Sequence, residues 1–208
     1  MPILTLQRWH SVCVEIGCRV DSPTFRRLLR AWASWGRHYH AVEHLEACLK
    51  EFDVVRGLAV HPAEVELALW FHDAVYRTWR SDNEARSAGW AARVLTQGGV
   101  EPASILRVQS AILATRHAEV ELTGDAALVV DIDLSILGQA AGIYGEFERN
   151  VRLEYWWVPR RRYVAARCAI LNSFLERAVI YHLPTFRDRY EGQARENLAG
   201  ANEALQAS

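Results

Sequence analysis

No two cysteines in this chain are spaced as a CxxC pair, no stretch alternates apolar and polar residues as a half-buried strand would, and no apolar run approaches the roughly 20 residues of a membrane-spanning helix. The first absence argues against a dithiol or zinc-ribbon motif. Cys13, Cys18, Cys48 and Cys168 each stand in apolar-rich surroundings suited to a reduced, buried thiol, which points to a cytoplasmic protein. The amino terminus lacks both a basic leader and an apolar core, so no secretory signal is expected, and no membrane partner. Net charge is nearly absent too. With 24 Lys and Arg against 25 Asp and Glu the formal charge is -1, a balance that argues against a dedicated binder of nucleic-acid polymers. Internal repeats, low-complexity tracts and dividing linkers are also missing. The 208 residues are therefore read as a single domain, 1–208, with a core over about 25–183 and a C-terminal helix over about 185–205.

What is present suits a folded protein, since 50% of the residues are hydrophobic and 24% charged. Helical spacing recurs from end to end, and the fold class it predicts is an all-α helical bundle. Phe25, Leu28, Leu29, Trp32 and Trp35 form one stripe of a helix from Ser22, capped there with Pro23 in its first turn, to Gly36. A second helix runs from Tyr39 to about Arg56. A third opens at His61-Pro62 and carries Val65, Leu69, His72, Tyr76 and Trp79 on one face. Further helices follow from Asp82 to Gly98-Gly99 and from Glu101-Pro102 to about His117. A long one starts at Leu134 and tolerates Gly138, Gly142 and Gly145 at roughly 1 kcal/mol each, and Pro159 closes it. Two more cover Arg160 to about His182 and Thr185 to Leu205. The eight tryptophans are read as core or homodimer-contact residues. Arg149, Arg152, Arg160, Arg161, Arg162 and Arg167 are read mainly as solvated helix faces, with attraction of anions as the functional alternative.

Three clusters can carry chemistry. His72-Asp73 sets two metal-competent side chains side by side in an apolar helix, where a carboxylate is costly unless a cation or donors offset it. Taken alone, such a pair also serves as a structural hydrogen bond. His40 and His44, four apart on the second helix, put both imidazoles on one helical face within reach of a common point. In Asp131-Ile132-Asp133 both carboxylates face one way if the segment is extended; if it is helical they diverge by about 200° and only one enters a site. Either can instead cap a helix. Mixed imidazole and carboxylate ligands suit a divalent metal ion such as Mn, Fe, Co, Ni or Zn rather than calcium.

In order and spacing, His44, then His72-Asp73, then Asp133 resemble the H…HD…D signature of the HD superfamily of metal-dependent phosphohydrolases. The resemblance extends to a bacterial branch of predicted HD phosphohydrolases through Arg37-His38-Tyr39-His40, Trp70 to Tyr76, Asp82-Asn83-Glu84, Thr115-Arg116-His117, Asp131 to Gly138 and Arg152 to Tyr155, over residues 25–199. It departs from the family after Tyr76, where Arg77, Thr78 and Trp79 replace a more acidic or turn-like loop. The resemblance implies that His44, His72, Asp73 and Asp133 ligate one metal, with Asp131 as the alternate ligand. His40 and His117 then remain for a second metal or for phosphate contact, His117 being equally readable as a core histidine. It further implies that activated water attacks a phosphate ester, with Asp73 or Glu84 taking the proton and Arg37 offsetting phosphate charge.

Glu84 has a competing structural reading as the partner of Ser81 in a capping box, and Arg152 as a brace of its own helix. The expected substrate is a small phosphorylated metabolite or nucleotide. Two rivals stand beside this reading: an alarmone pyrophosphohydrolase, disfavoured because Tyr76-Arg77 lies where that class carries an acidic pair, and a non-catalytic nucleotide- or metal-binding module.

Overall fold

A computed structural model describes residues 3–19, 22–117 and 121–207, and among these the regular structure is entirely helical. The order is α1 (Leu6–Glu15), α2 (Ser22–Trp32), α3 (Val42–Val55), α4 (Pro62–Phe71), α5 (Asn83–Gly98), α6 (Pro102–Ala114), α7 (Gly124–Asp133), α8 (Ala141–Glu154), α9 (Arg160–Leu175) and α10 (Pro184–Gln206), with tighter 3-10 turns at Arg56–Leu58 and Leu134–Gly138. No single helix among the described residues is long and apolar enough to cross a membrane. The chain divides into two compact units, residues 1–132 and 133–208, the division falling at the last residue of α7.

In the first unit α4 is the hub, packed by α1, α3, α5 and α6. Every residue from Ala63 to Phe71 is buried, so this helix has no solvent face. Two of those residues are carboxylates, and each meets arginine. Glu64 receives both arms of Arg107 at 2.7 Å, and Glu66 receives Arg8 Nε at 2.8 Å and Arg56 Nη1 at 2.9 Å. A buried carboxylate left without such donors costs several kcal/mol, on the order of 3–5, so these arginines hold α1, the turn after α3, and α6 against the hub. Trp9, Trp32 and Trp70 fill the surrounding core. Trp35, Trp79, Trp156 and Trp157 are exposed, so half of the tryptophans lie outside the core.

Several predicted boundaries move. An N-terminal helix, α1, precedes the one expected at Ser22, with Thr5 accepting from the Arg8 amide at its cap. The Ser22 helix stops at Trp32, which leaves Trp35 91% exposed outside the stripe. The helix expected from His61-Pro62 ends at Phe71, so Tyr76 and Trp79 do not share its face. The segment ending at Asp133 is itself α7, and the long helix expected from Leu134 is a 3-10 turn, a break at Gln139-Ala140, and α8. Gly98-Gly99 does close α5, with Gly99 left-handed at φ 83°.

In the second unit α10 packs on α8, α9 and the Leu134–Gly138 turn. Side chains tie that turn down through its backbone: Tyr181 donates its hydroxyl to the Leu134 carbonyl (3.0 Å), and Asn197 Nδ2 donates to Leu137 (2.8 Å) and Gln139 (2.7 Å). At Gly138 the approach of α10 is so close that a Cβ would collide with Tyr190, standing 2.7 Å from its carbonyl oxygen and 2.8 Å from its Cα. Arg152 donates to the carbonyls of Tyr155 (2.6 Å) and Val158 (3.3 Å) and lies over the Tyr163 ring, bracing the α8–α9 turn.

Candidate metal centre

Three helix ends build the centre. The first turn of α3 carries His44, buried, and one turn later Cys48 falls on the same face. α4 terminates at Phe71 with His72 as its capping residue, wholly buried, its amide bonded to the Ala68 carbonyl. The first turn of α7 is anchored beside the start of α4, where Asp125 accepts from the amides of Val60 (2.8 Å) and His61 (2.9 Å). The last residue of α7, Asp133, lies near His72. One ligand atom each from His44, Cys48, His72 and Asp133 lies within 4.8 Å of the other three, so this group could hold a metal ion.

Hydrogen bonding at His72 decides what the nitrogens present. Its Nδ1 is 2.9 Å from the Leu69 carbonyl, which can only accept, so Nδ1 carries the proton and in the neutral ring Nε2 presents a lone pair. That lone pair faces His44 Nε2 at 3.1 Å and an Asp73 carboxylate oxygen at 3.5 Å. A donor from His44 can satisfy one such contact but not a lone pair set against a carboxylate. A cation satisfies both, and two nitrogens bound tetrahedrally to one zinc-sized ion stand about 3.3 Å apart, close to the separation seen. The residues therefore fit a metal.

Asp73 stands at the edge of this group rather than among the four. Its carboxylate also lies 4.0 Å from His40 Nε2. His40 does not reach there along a helix: α3 begins at Val42, so the four-residue spacing to His44 is not helical, and His40 sits in the preceding turn, stacked on Tyr76 at 4.0 Å. Asp131 is fully buried two residues before Asp133 in α7, on a different side of that helix, and it is Asp133 that joins the group.

Other sequence candidates sit elsewhere. Arg37 spends its guanidinium on backbone, donating to the carbonyls of His40 (2.9 Å), Asp73 (2.7 Å) and Ala74 (3.1 Å), so it pins the loop before α3 to the turn carrying Asp73 instead of offering itself to phosphate. Glu84 pairs with Arg116 at 3.6 Å and is not in the group. The capping box with Ser81 does not form, because Asp82 is the cap of α5 and Glu84 falls one position too early for the box. Hydrogen bonding from Arg86 holds the Asp82 carboxyl below its ordinary range. His117 follows the end of α6 at Ala114, with a left-handed backbone (φ 54°), so it does not lie on that helix.

Cys48 is the residue that sequence reasoning passed over. Read as an inert apolar thiol, it places its sulfur 3.7 Å from His44 Nε2. The available signal was its spacing of four from His44 on a helix. Compared with models of known protein families, with curated proteins and with solved structures, the chain matches none of them.

Proposed function

We propose that this protein is a metal-dependent phosphohydrolase of the HD type, acting on a small phosphate ester or nucleotide. The supporting observation is the convergence of His44, His72 and Asp133, in that chain order, on a point that Asp73 borders, with His72 held in the tautomer a metal requires. His44, His72 and Asp133 hold the ion, and Cys48 favours one tolerant of sulfur, such as zinc, iron or cobalt. When bound, the ion supplies Lewis acidity toward a phosphate oxygen and makes water a nucleophile near neutral pH. Asp73 accepts a proton on its carboxylate. His40, beside it, donates to a phosphate oxygen, and Arg37 keeps both in register through their backbone carbonyls.

A second reading is carried by Cys48. Two histidines, a thiolate and a carboxylate form a complete tetrahedral shell, and closed shells belong to structural sites. Elemental analysis paired with a panel of phosphate esters, nucleotides and alarmones separates the two. The phosphohydrolase reading expects about one metal per chain, its loss in His72→Ala and Asp133→Ala, and a fall in turnover of about 10²-fold or more in Asp73→Ala. Stoichiometric metal with no hydrolysis of any panel member establishes the structural site instead.

A further inference from the structure

Between α8, α9 and α10 the second unit holds an open groove of about 750 Å³, within the range of small-molecule sites. Its floor and walls are small or aliphatic, including Gly145, Leu153, Val164, Gly200 and Ala201. One polar group inside stands out. Tyr163 is 93% buried, lines the groove, and its hydroxyl makes no hydrogen bond to any described residue, the ring being held by Arg152 and Tyr155. A hydroxyl that lines the groove and is not engaged by the protein can donate to a ligand oxygen there.

Charge at the rim says what that oxygen belongs to. Arg149 and Arg160 both line the groove and neither forms an ion pair with a described residue. Arg149 folds back over the floor, its Nη1 lying 3.6 Å from where a Cβ on Gly145 would be. Of the two carboxylates that line the groove, Glu148 is already neutralised, accepting from Tyr144 (2.6 Å) and from both Nε (3.1 Å) and Nη2 (2.6 Å) of Arg167. Glu196 alone opposes the two arginines.

We infer that this groove binds an amphiphilic anion: an alkyl body along the small-residue floor and a single carboxylate or phosphate head between Arg149 and Arg160, with Tyr163 donating to the head. The inference is independent of the metal centre, because every lining residue belongs to the second unit.

Calorimetric titration of the full chain with decanoate, decyl phosphate and decanol tests it, with and without chelator. Saturable binding of at least one anion is expected, at least about tenfold tighter than decanol and unchanged by chelator. Decanoate and decyl phosphate, compared directly, distinguish a carboxylate from a phosphate head. Replacing Arg149 and Arg160 together by Gln should weaken binding about tenfold or more, Tyr163→Phe should weaken it a few-fold, and Glu196→Gln should tighten it. Gly200→Leu should abolish binding with helical content kept, since a Cβ on Gly200 meets nothing within 4 Å and leucine favours helix. Equal affinity for decanol, indifference to the double arginine variant, or absence of binding overturns the inference. So does a concentration-dependent dimer that Gly200→Leu disrupts, which would give the groove to a second copy of the chain.

Discussion

Buried polar side chains occur in both units, and they are used differently. In the second unit four such side chains, buried or half-buried, reach backbone: Asn197, Tyr181, Arg152 and Arg187 donate to carbonyls that helix ends and turns leave open. At the start of α3 and the ends of α4 and α7, His44, Cys48, His72 and Asp133 instead reach one another. A donor that meets a carbonyl completes a hydrogen bond and calls for nothing more. Lone pairs that meet lone pairs call for a positive charge, which is why the second kind of cluster marks a site and the first does not.

The largest effect expected from this contrast is that metal stabilises one region and not the other. Zinc, the first ion to test, at one hundred times its dissociation constant should add about 2.7 kcal/mol to unfolding stability. Hydrogen exchange should then slow in Val42–Val55 and around His72 while Pro184–Gln206 keeps its rate, and His44→Ala should erase the difference. Equal slowing in both regions would break the comparison. Next in size, Asn197→Ala leaves the carbonyls of Leu137 and Gln139 without that donor and should cost about 2 kcal/mol in a denaturant melt, with metal content unchanged. An accompanying loss of metal would show that the turn serves the centre as well.

The smallest effect is confined to alkaline pH. Burial and the neighbouring Glu148 push the Tyr144 hydroxyl well above its ordinary value, and burial raises Tyr163 also, with Arg167 opposing both. The folded state thus retains a proton that the unfolded chain releases above about pH 10, so stability is complete below that pH and falls as pH rises. Tyr144 contributes a decline of about 1.4 kcal/mol per pH unit, and Tyr144→Phe should flatten the curve there while leaving the part due to Tyr163.

The legible parts of the fold were those with local punctuation. Gly98-Gly99 set the end of α5 because left-handed glycine acts within a residue or two, and the last helix, expected from Thr185, begins one residue earlier at Pro184. The end of α4 was hidden, since Tyr76 and Trp79 continue a helical spacing that the chain abandons so that His72 and Asp73 can turn into the site. α4 itself looked amphipathic and is buried all round, because Arg8, Arg56 and Arg107 arrive from distant segments to neutralise Glu64 and Glu66. At the candidate centre, the chain order of His44, His72 and Asp133 was visible in the sequence. The engagement of Arg37 with three carbonyls was not, since those partners are set by tertiary packing.

The contact at Gly138 has a consequence for how this chain can change. Glycine is the one residue without a Cβ, so every missense change at that codon places an atom against the backbone of Tyr190, whichever amino acid it encodes. In a saturation library scored for folded protein, position 138 should tolerate no replacement, even alanine. Gly142, four residues on and with nothing within 4 Å of its would-be Cβ, should accept many.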